Sequence, residues 1–348
     1  MTSSPATRGS VPARIAGICT HVPEQVLTNE DLAAQFSGWT AEKILEKTGI
    51  RERRIAAPGE TAVDLAYQAA RKLLDSGVEG AGEVDFVILC TQAPDYILPT
   101  SACILQDRLG LPTSVGALDI NLGCSGYVYG LSLASGLIAS GAARNIMLVT
   151  ADTYSKYIHA GDKSVRTLFG DGAAATLVSA CGDGDCSRIG PFVFGSDGSG
   201  AKQLIVEAGA FRLPASAETC VEQSDRHGNV RSPQNLFMNG GEVLTFTLRE
   251  VPRVYRAMLD RSGTVPEEYD HVILHQANKF MIDALQKKLG LPDDKVPRRY
   301  EEIGNTVSST IPFVLAGLQE RGQLSAGARI MLIGFGVGLS WAAATITI

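Results

Sequence analysis

Apolar residues recur along this chain in two alternating rhythms. The stretch 62–77 (AVDLAYQAARKLLDSG) sets its apolar positions on one helical face and ends in glycine, which predicts a helix. DFVILC at 85–90 is short, continuous and apolar, as a fully buried strand requires. The same reading predicts a helix over 101–110, a strand over 115–121, a helix over 125–140 closed by Gly141, and strands over 145–150 and 173–179. From 181 to 239 the texture changes to Gly-, Ser- and Asp-rich turns with short strands, as in an interdomain connection with elaborated loops. A second set follows, with helices over 241–260, 279–289 and 307–321 and strands over 271–274, 330–333 and 340–348. Such alternation places sheets under helices rather than in a sandwich. It divides the chain into two halves of similar element order, 1–180 and 181–348, without the short period of a solenoid.

Composition narrows the class. With 348 residues, 45% apolar and 20% charged, the chain is globular and far from the disordered range. A prior of about 150 residues per domain agrees with two halves. A net charge of −6 argues against nucleic acid as the main partner, since phosphate binding needs a concentrated basic surface. No apolar run approaches the roughly 20 residues that span a bilayer. The N-terminal MTSSPATRGSVPARIAG lacks the apolar core of a secretion signal, so a cytoplasmic location without membrane attachment is expected. Seven cysteines, an odd number, do not form a disulfide framework. Cys181 and Cys186 in CGDGDC have neither a second cluster nor a neighbouring histidine, so no metal site is expected there.

Four elements carry candidate chemistry. LDINLGCSGYVYG places Cys124 at a switch from strand to helix, where helix N–H groups favour thiolate and Gly123 and Gly126 permit a sharp turn. His275 ends a buried strand in HVILHQANKF, with Asn278 just before the next helix; alone, such a histidine is more often a structural group or a surface residue. Asn305 in EEIGNTVSSTIP has the bland alternative of being merely a helix N-cap, a role asparagine fills well. IGFGVGLSW is a glycine-rich turn between strands whose N–H groups could bind an oxyanion. Together a thiol, an imidazole and a carboxamide suit acyl transfer. A papain-like hydrolase has the same residue types, but its surrounding motifs and organisation do not match.

In TGIRERRIAAPGET, GCSGYVYGL, TLFGDGAAA, HQAN, GNTVSST and GFGVGLSW, met in this order over residues 15–348, the chain resembles the β-ketoacyl-acyl-carrier-protein synthase III family of thiolase-fold condensing enzymes. The resemblance implies a thiolase-like layered α-β-α-β-α fold of two related halves, as a homodimer. It implies a catalytic set of Cys124, His275 and Asn305: Cys124 accepts an acyl group, and His275 and Asn305 bind a malonyl-carrier thioester during decarboxylative Claisen condensation. The backbone N–H groups of Cys124 and Val337 would hold the oxyanion, Val337 standing where the family usually has glycine. Acyl thioesters of coenzyme A or acyl-carrier protein would be substrates, with no resident cofactor.

The resemblance also places donor-binding positions at Lys47, Lys163, Leu98 and Asn278, and carrier docking at Lys279, Lys287 and Lys288. Lys43 stands at the family's adenine-stacking tryptophan, Lys47 and Lys163 at its arginines, and Phe280 at the arginine after HQAN; Arg-to-Lys changes lose stacking and bidentate phosphate contacts. Altered coenzyme A recognition is therefore expected. Two alternatives accompany the first reading. One is a non-decarboxylating acyltransferase of secondary metabolism that forms an ester or amide through acyl-Cys124; the other is a catalytically silent scaffold or thiol sensor.

Overall fold

The structure, a computed structural model, describes residues 11–182 and 184–348. The start of the N-terminal segment read above for secretion signals, and Asp183 of CGDGDC, lie outside the described residues. The first half holds β1 (Ala13–His21), β2 (Gln25–Thr28), α1 (Asn29–Gln35), α2 (Ala41–Thr48), β3 (Glu52–Ile55), α3 (Ala62–Leu74), β4 (Phe86–Cys90), α4 (Ser101–Arg108), β5 (Gly116–Ile120), α5 (Gly126–Ala139), β6 (Asn145–Asp152), α6 (Lys163–Arg166) and β7 (Gly172–Ala180). After it come β8 (Arg188–Ser196) and the short strands β9 (Leu204–Val206), β10 (Gln223–Ser224), β11 (Val230–Arg231) and β12 (Leu236–Met238). The chain closes with α7 (Gly240–Ser262), β13 (His271–Leu274), α8 (Lys279–Leu289), α9 (Thr310–Glu320), β14 (Arg329–Gly336) and β15 (Ser340–Thr347).

Two sheets organise the molecule. The first runs β1-β7-β6-β4-β5 and the second β13-β14-β15-β8. In the first, β4 is parallel to β6, β7 antiparallel to β6, and β1 antiparallel to β7. In the second, β13 is parallel to β14, β15 antiparallel to β14, and β8 antiparallel to β15. The path β4-β6-β7-β1 is thus repeated as β13-β14-β15-β8. Helix α3 packs outside the first sheet and α7 outside the second, while α5 and α9 lie between the sheets. Five layers result, α-β-α-β-α.

The middle layer explains the composition of α5. Its sequence GYVYGLSLASGLIA carries no charge, because both of its faces meet sheet. One apolar cluster joins Tyr127, Val128 and Leu131 of α5 to Ile88 and Val178 of the first sheet, and to Ile273, Leu332 and Ile346 of the second. Helix α3 has one buried face, and it begins with a capping box in which Thr61 and Asp64 exchange hydrogen bonds.

The sequence left β8 within a connecting region; it is a nine-residue strand of the second sheet. Its RIGPFVFGS is mostly half-buried, and Gly and Pro interrupt the alternation that marks a strand. The helix predicted over 307–321 begins as a tight turn at Val307–Ser309, with α9 following.

Candidate active site

Cys124 lies after β5, immediately before α5, and His275 immediately after β13. Both are therefore at carboxyl ends of parallel strands, where open α/β sheets place ligands. Asn305 reaches them from the loop before α9. Its backbone is fixed from the other half: the N–H of Asn305 donates to the Leu168 carbonyl at 2.9 Å, and the N–H of Gly170 donates to the Asn305 carbonyl at 3.0 Å. All three side chains are buried and line one cavity of about 250 Å³. Its wall is mostly apolar, with Leu168, Phe169, Leu204, Val243 and Phe335, and Phe280 and Asn278 also line it. A larger groove of about 660 Å³ runs between α2 and the start of α8, but no cysteine or histidine lines it.

The carboxamide of Asn305 has a defined orientation. Its Oδ1 accepts the N–H of Val307 at 2.9 Å, which leaves Nδ2 as the free donor. Val307 has φ 56°, a left-handed conformation that costs a β-branched residue of order 1–3 kcal/mol. The ring of His275 meets the edge of Phe335 at 5.5 Å between centroids, and its Nδ1 lies 2.7 Å from the Thr310 hydroxyl. Burial pushes His275 down to about 3, so the imidazole is neutral across the physiological range.

Around the sulfur the forces oppose one another. Burial, with the Asp152 carboxylate next in size, pushes the Cys124 thiol up to about 12, while the backbone N–H groups of Val337 and Cys124 pull it down. The sequence pointed to a favoured thiolate; in the closed site burial outweighs the helix terminus, and the resting sulfur holds its proton. The same N–H pair is directed at the Cys124 sulfur. Val337 departs from the positive-φ residues, and its side chain lies against Gly123, the space a Cβ there would take. Neither Gly123 nor Gly126 has positive φ. Gly126 is required by close approach instead, because a Cβ would stand 2.3 Å from the sulfur of Cys90; at Gly336 a Cβ would meet the Cys124 sulfur at 2.7 Å.

Of the remaining predicted residues, Asn278 also lines this cavity and the others fall elsewhere. Asn278 caps α8 by accepting the N–H of Met281 at 2.9 Å. Lys47 and Lys43 set their ammonium groups 5.6 and 5.3 Å from the Trp39 ring centre, outside the cavity. Lys163 donates to the His227 carbonyl at 2.6 Å and lines a separate groove with Gln35, Phe36 and Gly228. Leu98 is 78% exposed and does not line the cavity. Lys279, Lys287 and Lys288 are exposed on α8, where Lys279 is paired with Asp283. Among the described residues, no three His, Cys, Asp or Glu gather as metal ligands, and no helix is long and apolar enough to cross a membrane. Sequence reasoning missed Thr310 and Asp152. Thr310 stands inside the quoted GNTVSST, and Asp152 lies two residues past the strand predicted over 145–150, so position alone did not mark either.

The chain is similar to known proteins. Residues 118–198 match the family described as 3-oxoacyl-[acyl-carrier-protein (ACP)] synthase III, and residues 259–348 match its C-terminal region. A β-ketoacyl-[acyl-carrier-protein] synthase III of Caldanaerobacter subterraneus subsp. tengcongensis is 37% identical over 336 residues, covering 97% of this chain and 98% of the relative. A solved 3-oxoacyl-(acyl-carrier-protein) synthase III superposes with TM-score 0.95 and 61% identity, over 97% of this chain and 100% of its own. A 3-oxoacyl-(acyl-carrier protein) synthase from Burkholderia xenovorans LB400 gives TM-score 0.89 and 38% identity, over 97% and 95%.

Proposed function

This chain belongs to the β-ketoacyl-[acyl-carrier-protein] synthase III family, and we propose that it carries out that family's condensation through Cys124, His275 and Asn305. It is an acyltransferase of fatty acid synthesis with a thiolase fold, condensing an acyl group with a malonyl-carrier thioester with loss of CO2. The observation that carries the residue assignment is the convergence of the three side chains on one apolar cavity, with the Asn305 amide turned so that Nδ2 is its donor.

The half-reactions follow from that geometry. The Cys124 sulfur attacks the carbonyl of an acyl thioester; its proton passes to the departing thiol, and a new thioester remains on the enzyme. A malonyl thioester then enters with its carbonyl between His275 and Asn305. Breaking the bond to its carboxylate releases CO2 and leaves an enolate, whose charge the two N–H donors stabilise as it develops. The carbanion attacks the acyl-Cys124 carbonyl, and the oxyanion lies between the N–H groups of Cys124 and Val337. Collapse expels the Cys124 sulfur as a thiolate and gives a β-ketoacyl thioester, and the thiolate takes up one proton from water to restore the resting thiol. Half 1–180 supplies the nucleophile, and half 181–348 supplies the two donors.

The substrates are acyl thioesters of coenzyme A and acyl-carrier protein, and the place of work is the cytoplasm. On the donor side, Lys43 and Lys47 stand beside Trp39 and Lys163 is bound to a carbonyl, which supports weakened coenzyme A recognition and a carrier-delivered donor. Lys287 and Lys288 offer an acidic carrier a basic helix end. A homodimer completes the reading, formed through the edge strand β5 and the exposed Tyr96, Ile97 and Leu98. The names of the relatives do not favour transfer without decarboxylation, and membership of an enzyme family removes the silent scaffold.

Intact mass after incubation with acyl thioesters, alongside CO2 release from a malonyl thioester, tests the assignment. We expect one acyl adduct, absent in Cys124→Ala, and CO2 release that falls about 100-fold or more in Asn305→Ala. An adduct persisting in Cys124→Ala overturns it.

A further inference from the structure

Thr310 opens α9 and is buried. Its Oγ1 lies 2.7 Å from Nδ1 of His275 and 3.2 Å from the carbonyl oxygen of Val307. A hydroxyl has one proton, so it can donate fully to only one of these neighbours. Hydroxyl donors form bonds of about 2.5–3.0 Å, whereas N–H donors cluster near 2.9–3.0 Å. The 2.7 Å contact to the ring nitrogen sits in the middle of the hydroxyl range and at the short limit of the N–H range of about 2.7–3.2 Å, whereas the 3.2 Å contact to the carbonyl is the longer and weaker of the two, so the geometry favours the ring nitrogen as the acceptor.

We propose that Thr310 is a positioning residue that sets the tautomer of His275: by donating to Nδ1 it places the single proton of the imidazole on Nε2. Among the described residues Nε2 has no protein hydrogen-bond partner, and His275 lines the cavity beside Asn305. The neutrality of the ring matters, because an imidazolium would carry both protons whatever Thr310 did. With Oδ1 of Asn305 occupied by the Val307 N–H, the cavity then receives two N–H donors and no competing lone pair. The opposite tautomer would aim the Nε2 lone pair at a developing enolate and repel it.

Both donors depend on the same stretch. Val307 orients the amide through its N–H, and Thr310, three residues on, orients the imidazole. The left-handed backbone at Val307 turns the chain so that both reach one cavity.

The inference rests on the proposed roles of His275 and Asn305, so its test needs a readout besides turnover. Nitrogen-15 labelling of the histidines, five in the chain, with His275→Asn to assign the signals, reports which ring nitrogen carries the proton. We expect a protonated Nε2 and a bare Nδ1 in the parent protein. Thr310→Val should shift the proton toward Nδ1 and slow CO2 release from a malonyl thioester about 100-fold, with a smaller change in KM; Thr310→Ser should restore both. Should Thr310→Val not fold, the parent spectrum and Thr310→Ser decide. A proton on Nδ1 of the parent, or a Thr310→Val enzyme with Nε2–H and full rate, overturns the inference. Failure of the parent to release CO2 rejects the assigned reaction instead, while the spectrum still judges the tautomer.

Discussion

Asp152 ends β6 close enough to Cys124 to act on its thiol, and its carboxylate is fully inside the protein. It accepts the Gln92 N–H at 2.8 Å, the Ser308 N–H at 3.3 Å and the Ser308 hydroxyl at 2.5 Å. These bonds lower its pKa, but burial outweighs them and raises it to about 7, with Asp171 adding to the rise. Cys90, Cys124 and Tyr154 also face it, and an ionised Asp152 pushes each of them up. An unfolded aspartate releases its proton near pH 3.9. Between about pH 4 and 7 the folded chain therefore holds a proton that the unfolded chain has lost. This group's contribution to stability is complete below about pH 4 and declines as pH rises through 7. Asp152→Asn cannot ionise, so its melting temperature should fall less than the parent's between about pH 5 and 8. Parallel curves by differential scanning calorimetry would remove Asp152 from this role. Cys124, His275 and Asn305 could be found from sequence because each sits in a short motif with its own turn residues. Asp152 and Thr310 act across 156 and 35 residues of chain, and no local pattern encodes such pairings.

Helix α8 illustrates how one element divides its charges. Its N-terminus is capped by Asn278 and its end is closed by Gly290 in the left-handed conformation, so both boundaries were legible in sequence. Near the start, Lys279 is tied to Asp283, which also pairs with Arg298 at 2.9 Å. Near the end, Lys287 and Lys288 have no ion pair among the described residues and sit where the helix dipole favours cations. Charge available to an acidic carrier is therefore concentrated at Lys287 and Lys288. Reversing both to Glu should raise KM for carrier-bound malonyl substrate several-fold at low salt and leave a small malonyl thioester unaffected. Lys279→Ala should change either KM much less. Steady-state kinetics on the two substrates separates these outcomes; equal effects on both would locate the lysines in folding rather than docking. Strand β8 shows the opposite case, since half-exposure with Gly and Pro hid its alternation until β15 paired with it.

At the scale of the molecule, the halves are less separate than their similar paths imply. Each sheet is built from its own half, but α5 and α9 share the layer between them and one apolar cluster crosses the boundary. Sequence periodicity registered the strands and helices and could not register this exchange, because burial on two faces looks the same whichever sheets provide it. At the outer edge, β5 leaves one side of its ladder unpaired, and Tyr96, Ile97 and Leu98 are 61%, 76% and 78% exposed. A second copy would cover this surface. Light scattering should give twice the chain mass for the parent and a smaller mass for Ile97→Glu with Leu98→Glu; a monomeric parent would reject the dimer.

The backbone ties from Asn305 to Leu168 and Gly170 join a donor on one half to a loop on the other. A substitution after α6 can thus displace the carboxamide without touching any substrate. Chimeras that graft one half onto a relative's other half would inherit a misaligned centre unless this seam travels with them, so the exchangeable module is the seam together with both of its flanks.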